Sequence, residues 1–158
     1  MTVIRNYQEN DACLVGILKK ETYSNFNLSF LPLQDQKFFL GPFYWAGSND
    51  PDHLRSIHEM ILSEMFYVAV NRGIICGILR GRMDRLASLF VHKTFHHQSI
   101  GRKLVEHFER EIIRRKGKVI RVAATMYGVP FYLKLGYKKS TGGRIGWSFD
   151  GRGYRFNR

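Results

Sequence analysis

The stretch that decides the fold is LASLFVHKTFHHQSIGRK, Leu86–Lys103. Leu86–Val91 is an apolar run of strand character, and His92–Ile100 is a polar connector. From Gly101 to Lys116, Leu104, Val105, Phe108 and Ile112 recur at helical spacing, with Glu106→Arg110 and Glu111→Arg115 pairs on the outer side. Gly117 ends that helix and Val119–Ala124 reads as the next strand. A strand, helix and strand in this order form a right-handed crossover, so 86–91 and 119–124 are expected as parallel neighbours. A helix rising from a strand end offers four unpartnered N–H groups and the positive end of its dipole. Gly101 allows close approach there, which suits a pyrophosphate, and Arg102 and Lys103 add cations. The same features also describe an ordinary loop-to-helix junction.

Toward the N-terminus, Phe66–Val70 and Ile74–Arg80 flank Asn71-Arg72-Gly73 and read as a hairpin. Val3–Tyr7 is a short strand. Asn10-Asp11 caps a helix over Ala12–Lys20, with Cys13, Leu14, Ile17 and Leu18 as its apolar face. Asp50 or Asp52 caps another over His53–Ser63, burying Leu54, Ile57, Ile61 and Leu62. Asn25–Pro51, rich in aromatics, Gly, Pro and Asn, reads as a long, partly ordered loop. Toward the C-terminus, Val129–Leu135 is a short helix opened by Pro130, Gly136-Tyr137 starts a strand, and Gly146–Phe149 and Tyr154–Phe156 complete the strand material. The expected fold is α/β: one domain over 1–158, with a mixed, mostly antiparallel twisted sheet of six or seven strands and helices on both faces.

The 158 residues are 44% hydrophobic and 24% charged, a globular composition that needs no metal or disulfide staple. Cys13 and Cys76 each sit among apolar neighbours and do not make a disulfide framework. The N-terminus has no apolar signal region, and no run approaches a membrane span, so a cytoplasmic protein without a membrane partner is expected. The net charge is +12, unevenly spread: residues 1–64 hold five basic and eight acidic side chains, and residues 65–158 hold twenty and five. A basic half favours an anionic partner such as a phosphorylated cofactor.

The second informative segment is VPFYLKLGY, Val129–Tyr137. Pro130 suits a first helical position, and Gly136 suits the residue past a helix end. Tyr132 in it reads either as a packed core residue or as a proton donor. Together, the hairpin, the strand ending Leu-Phe-Val-His-Lys, the Ile-Gly-Arg-x-Leu helix start and this Phe-Tyr-x-Lys-Leu-Gly-Tyr segment resemble the GNAT superfamily of N-acetyltransferases over most of residues 66–138.

The resemblance implies acetyl-CoA as acetyl donor and an amine as acceptor, joined by direct attack in a ternary complex without a covalent enzyme intermediate. The family's phosphate turn, Gln/Arg-x-x-Gly-x-Gly/Ala, falls on His96, Ser99 and Gly101 here. Ser99 in place of Gly is tolerable there if the backbone keeps φ negative and its N–H still faces the phosphate. Leu89, Phe90 and Val91 would run beside the pantetheine arm, a backbone N–H near Leu89 holding the charge that develops on the thioester carbonyl oxygen. His96, His97, Gln98, Ser99, Ile100, Gly101, Arg102 and Lys103 would wrap the pyrophosphate. Phe131 and Lys134 would flank the coenzyme, and Tyr132 would protonate the departing thiolate. Arg85 stands where some members carry a base. Asp84, Glu64, Glu21, His58 or a water chain would replace it.

The acidic N-terminal part is expected to make an electronegative entrance for a cationic amine. The aromatics of 25–50 (Phe26, Phe30, Phe38, Phe39, Phe43, Tyr44, Trp45) would form either an acceptor pocket or a cover over the sheet. No metal is expected, because His92 and His96 lack a third ligand of the usual kind. Two other readings are an acyl-CoA-binding sensor of the same fold and a basic nucleic-acid-binding module. The latter draws on Arg110, Arg114, Arg115, Lys116, Lys118 and Arg121 and on the tail Arg152, Tyr154, Arg155, Phe156 and Arg158. Nucleic acid is not the expected partner, and a homodimer through the C-terminal strands fits the family.

Overall fold

The computed structural model describes residues 1–125 and 127–140 and a strand at Tyr154–Asn157. Five strands form the body of the sheet: β1 (Thr2–Asn6), β2 (Met65–Asn71), β3 (Ile74–Arg82), β4 (Arg85–Val91) and β5 (Arg121–Ala124). They lie in that order, antiparallel except for the parallel β4–β5 pair. The short β6 (Lys138–Lys139) and β7 (Tyr154–Asn157) extend the β5 edge in the order β5-β7-β6. The mixed sheet and its parallel pair are thus as expected, and six or seven strands slightly overstates a sheet whose body is five. The expected strand at Gly146–Phe149 lies outside the described residues.

Helix α4 (Ile100–Arg114) covers one face, packing Leu104, Val105, Phe108 and Ile112 against Met65, Tyr67, Cys76, Leu79 and Leu86. Helices α1 (Ala12–Thr22) and α3 (Pro51–Ile61) cover the other, where Val15, Leu18, Ile57 and Ile61 meet Phe66, Val68, Ile75 and Ile78. Helix α1 is rotated from the expected face: Val15 is fully buried and Leu14 is 50% exposed. Gly16 explains this, since a Cβ there would lie 3.1 Å from Ile57, and the close approach of α1 to α3 sets the rotation. Leu62 lies past the end of α3 and is exposed.

Residues 25–50 are not the loop that the sequence suggested. They hold α2 (Leu33–Leu40) between helical turns at Tyr23–Asn27 and Gly41–Trp45. The pattern hid α2 because it buries only Gln36 and Leu40. The Gln36 amide donates to the carbonyls of Leu28 and Leu31, which pins α2 to the preceding turn.

Two irregularities in β4 create the site. Its register with β3 passes from Arg80↔Ser88 to Gly81↔Leu86, leaving Ala87 as an extra residue. One extra residue reverses the alternation. Leu86 therefore packs on the α4 side, while Phe90 packs on the α1 side and Ser88 faces there with Arg80. The pairing with β5 covers only Arg85↔Arg121 and Leu86↔Val122. Beyond that point β4 runs on to Val91 without β5 beside it, and the sheet splits.

Candidate active site

A cavity of about 1090 Å³ occupies the split. Its walls are β4, the start of α4, β5 and helix α5 (Val129–Lys134), and Phe26, Phe38, Phe39 and Phe43 line it from the N-terminal part. Of the residues singled out from the sequence, Leu89, Phe90, Val91, His96, His97, Ser99, Ile100, Gly101, Arg102, Phe131, Tyr132 and Lys134 line this cavity. Gln98 and Lys103 do not: the Gln98 amide donates to the Thr94 carbonyl and Lys103 is exposed on α4. Among the candidate aromatics, Phe30, Tyr44 and Trp45 also lie outside the lining.

The first intrahelical bond of α4 runs from Lys103 N–H to the Ser99 carbonyl, so the N–H groups of Ile100, Gly101 and Arg102 have no acceptor within the helix. No side chain caps this end and its first turn carries no acid, whereas the Asp50 carboxylate caps α3 by accepting from Asp52 N–H. The end is left open to an anion. Gly101 allows a close approach: a Cβ there would lie 3.2 Å from the Phe131 ring, where α4 meets α5, and would push that ring aside. Ser99 does not meet the negative-φ condition: its φ is +60°, and so is that of His97. The left-handed region costs a non-glycine residue about 1 kcal/mol. Ser99→Gly is expected to raise stability by about 0.5–1 kcal/mol and the melting temperature by roughly 1–4 °C, read in thermal melts.

His96 holds the loop rather than facing its interior. Its Nε2 donates to the Val91 carbonyl at 2.8 Å, and its ring stacks on Phe26 at 5.1 Å. Phe26 also meets Tyr127 across the mouth, again at 5.1 Å. These contacts, which depend on the helical turn at Tyr23–Asn27, were not legible in sequence.

Tyr132 is 6% exposed and packs edge-on against Phe131 and Tyr137. Burial pushes its phenol far above the usual range, so it stays protonated at neutral pH. The segment after it fixes its place. Gly136, at φ +90°, lets the chain turn back, and Tyr137 N–H donates to the Tyr132 carbonyl at 3.1 Å. The Tyr137 hydroxyl donates to the buried Glu109 carboxylate at 3.0 Å, which fastens α5 to α4.

None of the bases suggested from the sequence lines the cavity. Glu64 pairs with Arg115 at 3.3 Å and Glu21 with His92 at 3.2 Å. His58 bonds the Tyr7 hydroxyl at 2.8 Å, and Asp84 pairs with Arg82 and Arg121 at the β3–β4 turn, where Arg85 also lies. The expected electronegative entrance is likewise overturned. Among the described residues, the charged groups lining the cavity are Lys19, Arg80, Arg102 and Lys134, with no carboxylate. The acids of the N-terminal part serve elsewhere, Asp11 on Arg5 and Asp52 on Arg55.

Sequence reading passed over Lys19, which stands in a Lys-Lys-Glu run typical of a surface helix. Its Nζ lies 3.8 Å from the centre of the Phe43 ring and 6.0 Å from that of Phe90. Burial, with a contribution from the Arg80 charge, lowers its pKa to about 7.

Much of the basic cluster on α4 and β5 is neutralised locally, Arg114 by Glu111, Arg115 by Glu64 and Arg121 by Asp84. The side chains of Arg152, Tyr154, Arg155, Phe156 and Arg158 lie outside the described residues. Among the described residues no three His, Cys, Asp or Glu side chains are grouped to hold a metal, and no helix is long and apolar enough to cross a membrane.

Comparison with solved structures finds the same fold in several acetyltransferases. The PaiA N-acetyltransferase from Thermoplasma acidophilum, crystallised with coenzyme A, is 16% identical with a TM-score of 0.73, covering 100% of this chain and 98% of that one. The ribosomal-protein-S18-alanine N-acetyltransferase from Escherichia coli is 15% identical with a TM-score of 0.65, covering 99% and 91%. An aminoglycoside 6'-N-acetyltransferase complexed with coenzyme A is 15% identical with a TM-score of 0.62, covering 99% and 96%. No curated protein matches the chain by sequence. The model of the acetyltransferase (GNAT) domain matches residues 50–146, which hold β2 to β5, the open end of α4 and Tyr132, and the chain belongs to that family.

Proposed function

We propose that this protein moves an acetyl group from acetyl-CoA to a primary amine. The observation that carries this is the meeting, in one cavity, of the β4–β5 split, the uncapped start of α4 and the buried, protonated Tyr132. The residues present fit coenzyme A: the free N–H groups of Ile100, Gly101 and Arg102 face a diphosphate, with Arg102 and Lys134 as further cations. The β4 backbone from Ser88 to Val91, without a β5 partner, is free to hold the pantetheine amides as an added strand would be held. A backbone N–H near Leu89 stabilises the charge that develops on the thioester oxygen. The neutral acceptor amine attacks the thioester carbon, the C–S bond breaks, and the Tyr132 hydroxyl delivers its proton to the departing sulfur. With no carboxylate lining the cavity among the described residues, the acceptor's own proton leaves through water, and a proton from water restores the Tyr132 hydroxyl.

That same lack of a lining base also suits an acyl-CoA sensor, and one assay separates the two. Purified protein is given acetyl-CoA and a panel of amines, with thiol release followed by absorbance and products by mass spectrometry. Saturable, amine-dependent release with an acetylated product is expected. Stoichiometric coenzyme A binding without turnover on any amine assigns the sensor role, and failure to bind coenzyme A overturns both.

A further inference from the structure

The α1-facing side of β4 narrows the acceptor's chemistry. Lys19 on α1 and Arg80 on β3 both line the cavity there. Arg80 donates through Nε to Ser88 Oγ at 3.2 Å and through Nη1 to the Met60 carbonyl at 2.8 Å, leaving Nη2 without an acceptor among the described residues. Lys19 rests on aromatic rings and has no carboxylate partner among the described residues. One turn further along α1, Thr22 lines the same cavity, with its hydroxyl oxygen buried. Thr22 is 9% exposed, and its Oγ1 is the single buried side-chain N or O atom among the described residues with no hydrogen-bond partner. Helical threonines commonly satisfy this group on a carbonyl of the preceding turn, and Thr22 does not.

Two cations without a counter-charge, together with an orphaned hydroxyl, are costly in a partly desolvated pocket. Lys19 and Arg80 are near enough for the Arg80 charge to act on Lys19, and a single oxyanion between them resolves both; Thr22 is a further donor on the same helix as Lys19. The cluster lies on the face of β4 that carries Ser88 and Phe90, beside the backbone that would hold the thioester. It is therefore on the acceptor's side and apart from the α4 end that faces the coenzyme's phosphates.

We propose that Lys19, Arg80 and Thr22 form an oxyanion subsite for the acceptor, so that the amine acetylated by this protein also carries a carboxylate or a phosphate; this presupposes the acetyl-transfer reading. Lys19 and Arg80 hold the anionic end while the amine faces β4. The walls formed by Phe39 and Phe43 accommodate the carbon chain between the two ends.

The test uses protein saturated with coenzyme A, into which inorganic phosphate or propionate is titrated by calorimetry. It is followed by kcat/KM for matched acceptors: β-alanine against β-alaninamide, and O-phosphoethanolamine against ethanolamine. The anionic member of at least one pair is expected to be preferred roughly 10- to 100-fold, the range of a charge-assisted hydrogen bond. Preference in the first pair alone assigns a carboxylate, and in the second alone a phosphate. Lys19→Met keeps an unbranched side chain but removes the ammonium that lies over Phe43, and should bring the ratio to within roughly 3-fold of unity. Arg80→Gln should do the same. Because Arg80 also ties β3 to α3, the Lys19 variant is decisive if Arg80→Gln fails to fold.

Uncharged members that react as well as the anionic ones overturn the subsite, as does a Lys19→Met effect equal on both members of a pair, the behaviour of a general base. If no pair is turned over, phosphate or propionate binding that Lys19→Met weakens roughly 10-fold or more supports the subsite, and lack of such binding overturns it. Failure to bind coenzyme A would strike the acetyl-transfer reading instead, so the two failures are distinguishable.

Discussion

Replacing Tyr132 with Phe lowers kcat by roughly 100-fold or more while acetyl-CoA binds as before, if the phenol protonates the leaving sulfur. The ring contacts with Phe131 and Tyr137 survive the change, and the backbone bond from Tyr137 to Tyr132 does not involve the hydroxyl. Loss of the proton therefore separates from loss of the fold. Burial holds the phenol protonated well above its ordinary range, so the wild-type rate should show no downturn from this group near pH 10. Stopped-flow thiol release and calorimetric binding of acetyl-CoA provide the two measurements. Unchanged kcat in Tyr132→Phe would remove the hydroxyl from the reaction and leave Tyr132 as a core residue.

Lys19→Met makes the protein more stable at neutral pH. The folded pKa is about 7 against an ordinary 10.5, so between these values the unfolded chain holds a proton that the folded one lacks. Stability accordingly rises with pH across that window, and the cost of burying Lys19 is fully present below pH 7. Solvent reaching the cavity and the lost contact with Phe43 reduce the gain from removing the ammonium to about 1–3 kcal/mol. Thermal melts should show a rise of roughly 2–4 °C per kcal/mol at pH 7, shrinking toward zero as the pH approaches 10.5. A variant that melts lower than wild type at pH 7 would show that Lys19 is better solvated or better paired than its surroundings suggest. A lysine retained at a cost to stability is what a functional site produces, and a stabilised variant keeps the acceptor test free of unfolding.

The side of the cavity formed by α4 and α5 was largely legible in the sequence. Gly101 follows an apolar strand and a polar connector, and Leu104, Val105, Phe108 and Ile112 mark a helix of known direction. An open helix end beside a parallel strand pair then follows from local chemistry. The Phe-Tyr-x-Lys-Leu-Gly-Tyr segment carries its own stop signal in Gly136, so the position of Tyr132 on a short helix was readable too. Gln98 and Lys103 do not line the cavity, because consecutive loop and helix residues cannot all face one side. The φ of Ser99 was left open by the sequence, and the tight turn from the loop into α4 places it in the left-handed region.

The side facing α1 was not legible, because the residues that build it are brought there over a long separation. Glu21, Glu64 and His58 are chemically suitable bases, yet distant partners occupy them. The charge imbalance between the halves of the chain predicted an acidic entrance, but charge counts say nothing about which way side chains point. Ser88 and Phe90 face α1 with Arg80 while Leu86 faces α4 only because Ala87 adds one residue to β4. Lys19 reaches the cavity only because α1 is turned by its contact at Gly16 with Ile57.

What the chain determined by itself is what neighbours in sequence can encode: the crossover, the open start of α4, and the brief helix that bears the phenol. Where α1 comes to rest and which way β4 faces past its bulge are set by packing between segments far apart in the chain. The two cations beside Ser88 and Phe90 therefore belong to the tertiary structure alone.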